Sequence, residues 1–112
     1  MLDVAKLDRW LNSHKDECFR CGAKEVEFAA FETGFLSAHC FKCEQGINAR
    51  IDTIQAIASS DEAMETLKVL RADKRLPVAF RAECDMVLSL SQLYRKFFES
   101  EREQQVKEVL LK

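Results

Sequence analysis

Cys18-Phe19-Arg20-Cys21-Gly22 and Cys40-Phe41-Lys42-Cys43 decide how this chain is read, because together they set out a Cys-x2-Cys-x18-Cys-x2-Cys pattern. Two residues between paired cysteines let a tight turn aim both sulfurs at one point. Two such turns supply four soft, anionic ligands in a tetrahedron, a geometry that zinc accepts without strain. Cys18, Cys21, Cys40 and Cys43 are therefore the expected ligands of one structural Zn2+. Four thiolates close the coordination sphere, whereas a catalytic zinc keeps one position for water, so catalysis at the metal is not expected. Disulfides would have to join neighbours across two residues, and nothing in the chain suggests an oxidising compartment. The chain has 3 Gly, and each falls where a reversal is expected: Gly22 after the first pair, Gly34 between the pairs, Gly46 after the second.

Between the pairs, Lys24 to Phe31 alternates as a strand, Glu32-Thr33-Gly34 is turn chemistry, and Phe35 to His39 returns as a second strand. Knuckle, hairpin and knuckle in succession make a zinc ribbon. The stretch Cys18 to Gly46 resembles the C4 zinc ribbons of transcription and replication proteins. Its Cys-x2-Cys-Gly, the Phe and Gly of its hairpin and its Cys-x2-Cys-Glu are similar to the template-reading zinc domain of phage-type primases. The resemblance covers about a quarter of the chain. It implies a ribbon of that style and not primase activity, since no acidic catalytic domain follows.

At 112 residues the length suits one domain helped by a metal staple. With 47% hydrophobic and 32% charged residues and a formal net charge of -2, the composition is that of a folded soluble chain without the charge excess of a nucleic-acid binder. No apolar run approaches the roughly 20 residues of a membrane helix. Met1-Leu2-Asp3-Val4 lacks the basic-then-apolar order of a signal peptide. A reducing, cytoplasmic setting is expected, where the unpaired Cys84 is harmless.

The predicted architecture is α+β: one domain over 1–112, with an N-terminal helix in 1–15, the ribbon in 16–46 and a bundle of about three helices in 47–112. Val4, Leu7, Trp10 and Leu11 form the first amphipathic stripe, with Asp3 as N-cap. His14 and His39 lie near the cysteines and are read as neighbours of the site, because four thiolates already complete it. After Gly46, Ile47, Ile51, Ile54 and Ala58 read as a helical stripe, and Ser59-Ser60-Asp61-Glu62 as a capping box that opens the next helix. Pro77 suits the first turn of the last and longest helix. Met86, Val87, Leu90, Leu93, Tyr94, Phe97 and Phe98 give that helix a broad buried arc, with Cys84 on its edge. Polar residues then run from Glu99 to Gln105, and Val106, Val109 and Leu110 resume an apolar stripe rotated away from the arc. That stripe is the expected contact with another chain, a second copy in a dimer, if the helix runs on past Phe98; the alternative is a bend near Ser100 that folds it back on its own bundle.

No Gly-rich phosphate loop, nucleophile elbow or metal-spaced acidic set is present, so neither an enzyme nor a small-molecule substrate is expected. The expected function is a non-enzymatic, zinc-stabilised adaptor or regulator that binds another protein, within transcription or replication machinery if the resemblance extends to function. Nucleic acid is the alternative partner. It would meet Phe19, Arg20, Phe41 and Lys42 on the knuckles and the basic Arg71, Lys74, Arg75 and Arg81 around Pro77. Against it, the bases of the ribbon are matched by acids, and nucleic-acid affinity rests mainly on phosphate neutralisation.

Overall fold

The computed structural model describes residues 2–111, and its elements run α1 (Val4–Asn12), β1 (Lys15–Asp16), β2 (Val26–Phe31), β3 (Phe35–Cys40), β4 (Gly46–Arg50), α2 (Ile51–Ala58), α3 (Asp61–Ala72) and α4 (Val78–Leu111). The fold is α+β, a four-stranded antiparallel sheet in the order β1-β2-β3-β4 with one helix before it and three after. The short loop Glu32-Thr33-Gly34 pairs Phe31 with Phe35 and fixes the register of the hairpin, so Val26 faces Cys40, Phe28 faces Ala38 and Ala30 faces Leu36. Strand alternation sends these six side chains to one face, where all are buried.

That face meets Leu7 and Leu11 of α1, Ile54 and Ala58 of α2, and Met86, Leu90, Tyr94 and Phe97 of α4 in one hydrophobic cluster. Cys18 and Cys40 belong to the same cluster, so the ribbon and the helices share a core. Trp10 closes its edge with its ring 5.8 Å from that of Phe97. β1 covers β2 only at Val26 and Glu27. Further along, Asp8 of α1 accepts the Ala30 N–H at 2.8 Å and caps that part of the open strand edge.

Several local expectations are corrected. Gly46–Arg50 is a strand, so the sheet extends past the expected ribbon boundary at 46 and the first bundle helix starts at Ile51 instead of Ile47. β4 pairs with β3 through Ile47↔Ala38 and Ala49↔Leu36, a hydrogen-bonding edge that the hairpin alone would leave open. The cap of α3 is Ser60, whose side chain accepts the Ala63 N–H, one residue beyond the expected Ser59. Ser59 instead ends α2, and its hydroxyl donates to the Gln55 carbonyl at 2.9 Å. Phe98 is not part of the buried arc: it is 48% exposed, while Leu88 and Ser91, absent from the expected arc, are fully buried.

α4 is continuous for 34 residues through the polar stretch after Phe98, as the lack of Gly or Pro there predicts. At 1.5 Å per residue it spans about 50 Å, which accounts for the longest dimension of the molecule, 54 Å. Everything from Arg102 to Leu111 is exposed, so roughly the last 15 Å of the helix lie beyond the core. No described helix is long and apolar enough to cross a membrane.

Candidate metal centre

Each Cys pair sits on a reversal built to the same plan. In the first, Cys18 N–H donates to the Ala23 carbonyl at 2.7 Å and Gly22 N–H to the Cys18 carbonyl at 2.8 Å. In the second, Cys40 N–H donates to the Gln45 carbonyl at 2.8 Å and Glu44 N–H to the Cys40 carbonyl at 2.9 Å. Such a turn needs a left-handed residue directly after the second cysteine. Gly22 supplies it with φ 78° at one knuckle, and at the other Glu44 is held at φ 64°. Glu44 is therefore strained where Gly22 is not. Gly46, expected as a turn residue, acts differently: a Cβ there would stand 3.1 Å from the Ala38 carbonyl oxygen. Its role is close strand approach.

The two turns bring Cys18, Cys21, Cys40 and Cys43 together with all four sulfurs within 4.8 Å of one another. Cys18 Sγ lies 3.6 Å from Cys43 Sγ, and Cys21 Sγ 3.6 Å from Cys40 Sγ. A metal–sulfur distance of about 2.3 Å in a regular tetrahedron requires sulfurs about 3.8 Å apart, so the cage already has the size of a four-thiolate metal site. None of the five cysteines forms a disulfide.

Charge at the sulfurs is set by burial and by the backbone. Burial pushes the Cys18 thiol up to about 12, against N–H groups of Cys21 and Arg20 that favour its thiolate. The Cys43 N–H, with help from that of Lys42, brings the Cys40 thiol down to about 7. The first cysteine of each knuckle thus faces the N–H groups two and three residues on, which stabilise its anionic, metal-binding form.

Gln45 and Glu44 carry parts of this site that sequence reading missed. The Gln45 side chain is buried and its Oε1 accepts from Arg20 at 3.0 Å, tying one knuckle to the other. Nothing in the sequence marks Gln45, but Glu44 occupies the place that Gly22 fills in the first knuckle. Neither histidine joins the cluster of four sulfurs. His14 Nδ1 bonds to the Trp10 carbonyl at 2.7 Å, and His39 stacks edge-on with Phe41 at 4.8 Å.

The candidate contact residues for nucleic acid are mostly engaged within the chain. Arg71 pairs with Asp85 at 2.8 Å, Arg75 with Asp73 at 2.8 Å, and Arg81 donates to the Arg71 carbonyl at 2.8 Å. The Arg81 guanidinium also lies 5.3 Å from the centre of the Phe19 ring, which docks the first knuckle onto the start of α4. Among the described residues, Lys42 and Lys74 form no ion pair, and Phe41 is exposed beside Lys42. Cys84 is buried on α4 and burial raises its thiol pKa, which makes it a core residue and not a nucleophile. No protein-family model, curated protein or solved structure matches this chain.

Proposed function

We propose that the chain is a non-enzymatic, zinc-stabilised adaptor or regulator that binds another protein through the projecting end of α4. The observation that carries this reading is the run of exposed apolar side chains Val106, Val109, Leu110 and Leu111 on a continuous helix that has left its own core. An apolar series outside a core gains little for the chain that carries it and is a common mark of a surface for another chain. A rigid ribbon stapled to the base of that helix gives it a fixed root.

Zinc is the metal this reading assigns to the four thiolates. Tetrahedral sulfur sites take zinc or iron, and a closed sphere on two backbone turns suits a structural zinc. Elemental analysis of the purified protein decides the metal, and visible absorption would reveal iron. The resemblance to ribbons of transcription and replication proteins supports a place for the protein in such machinery. Binding of nucleic acid through the knuckles and the 71–81 turn has less support, because three of the four basic residues of that turn are already paired or hydrogen-bonded.

The test is affinity purification from the native cell with metal retained, comparing the wild type with Val109→Asp/Leu110→Asp. The reading expects a protein partner that the variant loses while its circular dichroism is unchanged. A partner retained equally by both would overturn it.

A further inference from the structure

At about 100° per residue, Phe98 lies within about 20° of Val109 around α4, with Arg102 between Phe98 and Val106 in angle. The exposed Phe98 therefore heads the late stripe and stands apart from the buried Phe97 arc. On this side, α4 is covered by the α2–α3 turn, where Arg95 donates to the Ala58 carbonyl and to Asp61 at 2.8 and 2.7 Å. The cover stops there and leaves a groove of about 370 Å3 walled by Ala58, Asp61, Tyr94, Phe98, Glu99 and Arg102. Shallow concavities continue the groove along α4 past Arg102 and Val106 to Leu110.

We infer that this face binds a second copy of the chain, two α4 ends packing antiparallel about a two-fold axis near Glu103 and Gln104, with Val109 and Leu110 of each copy seated in the groove at Phe98 of the other. The inference rests on the reading of α4 as a protein-binding surface and names the partner.

Three features favour a second copy. The stripe and the groove lie on the same side of one helix, a separation of about 18 Å from Phe98 to Leu110. A two-fold axis midway between them satisfies both at once, so the interface closes and does not propagate. The charges fit only one direction. In a parallel pair Arg102 would oppose Arg102, and Glu99 and Glu103 their own counterparts. In the antiparallel pair Arg102 comes within a turn of Glu103 of the second copy, and Lys107 comes beside its Glu99, on the same flank of the stripe, while Glu101 stays paired with Lys6 of its own chain at 2.8 Å. Apolar surface is also at stake on both copies: Phe98, Val106, Val109 and Leu110 are all exposed in the single chain, and closing the two-fold removes them from water twice over.

The test uses the full metal-loaded chain. Sedimentation across the micromolar range should show a monomer–dimer equilibrium, and Val109→Asp/Leu110→Asp should weaken it at least about 100-fold without changing the circular dichroism. Phe98 and Val109 are about 16 Å apart along one helix, beyond the reach of a nuclear Overhauser effect. A cross-peak between the Phe98 ring and the Val109 methyls therefore reports the antiparallel dimer alone. A strict monomer at high micromolar concentration, or a dimer without that cross-peak, overturns the inference. If the chain is monomeric and the same variant still loses a cellular partner, the proposed function survives and only the second copy is rejected.

Discussion

Replacing Cys40 by Ser tests the dependence of the fold on its metal more sharply than any other single change. The Cys40 side chain is fully buried, its sulfur lies 3.6 Å from that of Cys21, and its strand position pairs with the buried Val26 at the open end of the hairpin. Serine offers a poorer, harder donor on a shorter bond, and it leaves a hydroxyl among apolar neighbours. Binding at four-ligand structural zinc sites is worth about 10–16 kcal/mol, as much as the whole stability of about 5–15 kcal/mol of an ordinary domain. Loss of the metal is thus expected to unfold the chain and not merely loosen a loop. Because Cys18 and Cys40 share a cluster with Leu7, Leu11, Phe28 and Leu90, the loss should spread to α1 and α4. The assay is metal content by mass spectrometry alongside far-ultraviolet circular dichroism, for Cys40→Ser and for wild type in chelator. Cys84→Ser serves as the control, a buried thiol outside the site whose replacement should leave the metal in place. A Cys40→Ser protein with full metal content, or a chelated wild type with native helix content and melting, would refute the reasoning.

Other consequences are open to simple measurement. Glu44→Gly relieves a left-handed residue and should stabilise by about 0.5–1 kcal/mol, whereas Gly22→Ala should destabilise by about 1–2 kcal/mol; shifts of the same sign in thermal melts would contradict the matched knuckles. At pH 7, metal uptake should expel more than one proton, since burial holds the metal-free Cys18 thiol protonated at about 12 and Cys40, at about 7, is partly ionised. Calorimetry in buffers of different ionisation enthalpy counts them, and a release of one or none would mean that the cysteines are not the ligands. A shift assay at physiological salt should show weak or no site-specific DNA binding; tight retention lost in Arg20→Ala with Lys42→Ala would reverse the ranking of partners. Truncation after Glu103 should change stability by no more than about 0.5 kcal/mol, because Gln104 to Leu111 are exposed; unfolding on truncation would place the stripe in the core.

The sequence carried the site more fully than the fold around it. The Cys-x2-Cys spacing, the hairpin and the 3.6-residue stripes are local patterns, and each reappears in the structure where local chemistry alone determines it. What depends on a distant neighbour was less legible. Ile47, Ile51, Ile54 and Ala58 are spaced as a helix face, but Ile47 and Ala49 are inward residues of β4, which alternates only because β3 lies beside it. Phe97 and Phe98 are equal in hydrophobicity, and only the placement of the α2–α3 turn decides that the first is 4% and the second 48% exposed. Likewise, the basic residues around Pro77 looked free because Asp85, a partly buried acid 14 residues from Arg71, gives no sequence signal of pairing with it.

That last pairing bears on how the ribbon is held. Burial raises the Asp85 carboxyl pKa, with the Arg71 guanidinium opposing the shift. A raised folded pKa means that ionised Asp85 costs stability at neutral pH and that the cost is relieved as pH falls toward its unfolded value. The cost is tolerable because Asp85 holds Arg71, whose carbonyl accepts from Arg81, and Arg81 in turn covers Phe19 on the first knuckle. Asp85→Asn should therefore remove the charge penalty and slacken this chain of contacts together. Compared with wild type at neutral pH, its net stability should change by less than about 1 kcal/mol, because relief of a buried charge offsets loss of the pair. The wild type should gain relative to Asp85→Asn as pH falls below the raised folded pKa of Asp85 toward the ordinary carboxylate value, where the folded chain takes up the proton first. Parallel stability profiles of the two proteins over that range would show that Asp85 is ionised without penalty, and the route from α3 through Arg81 to the knuckle would then need another anchor.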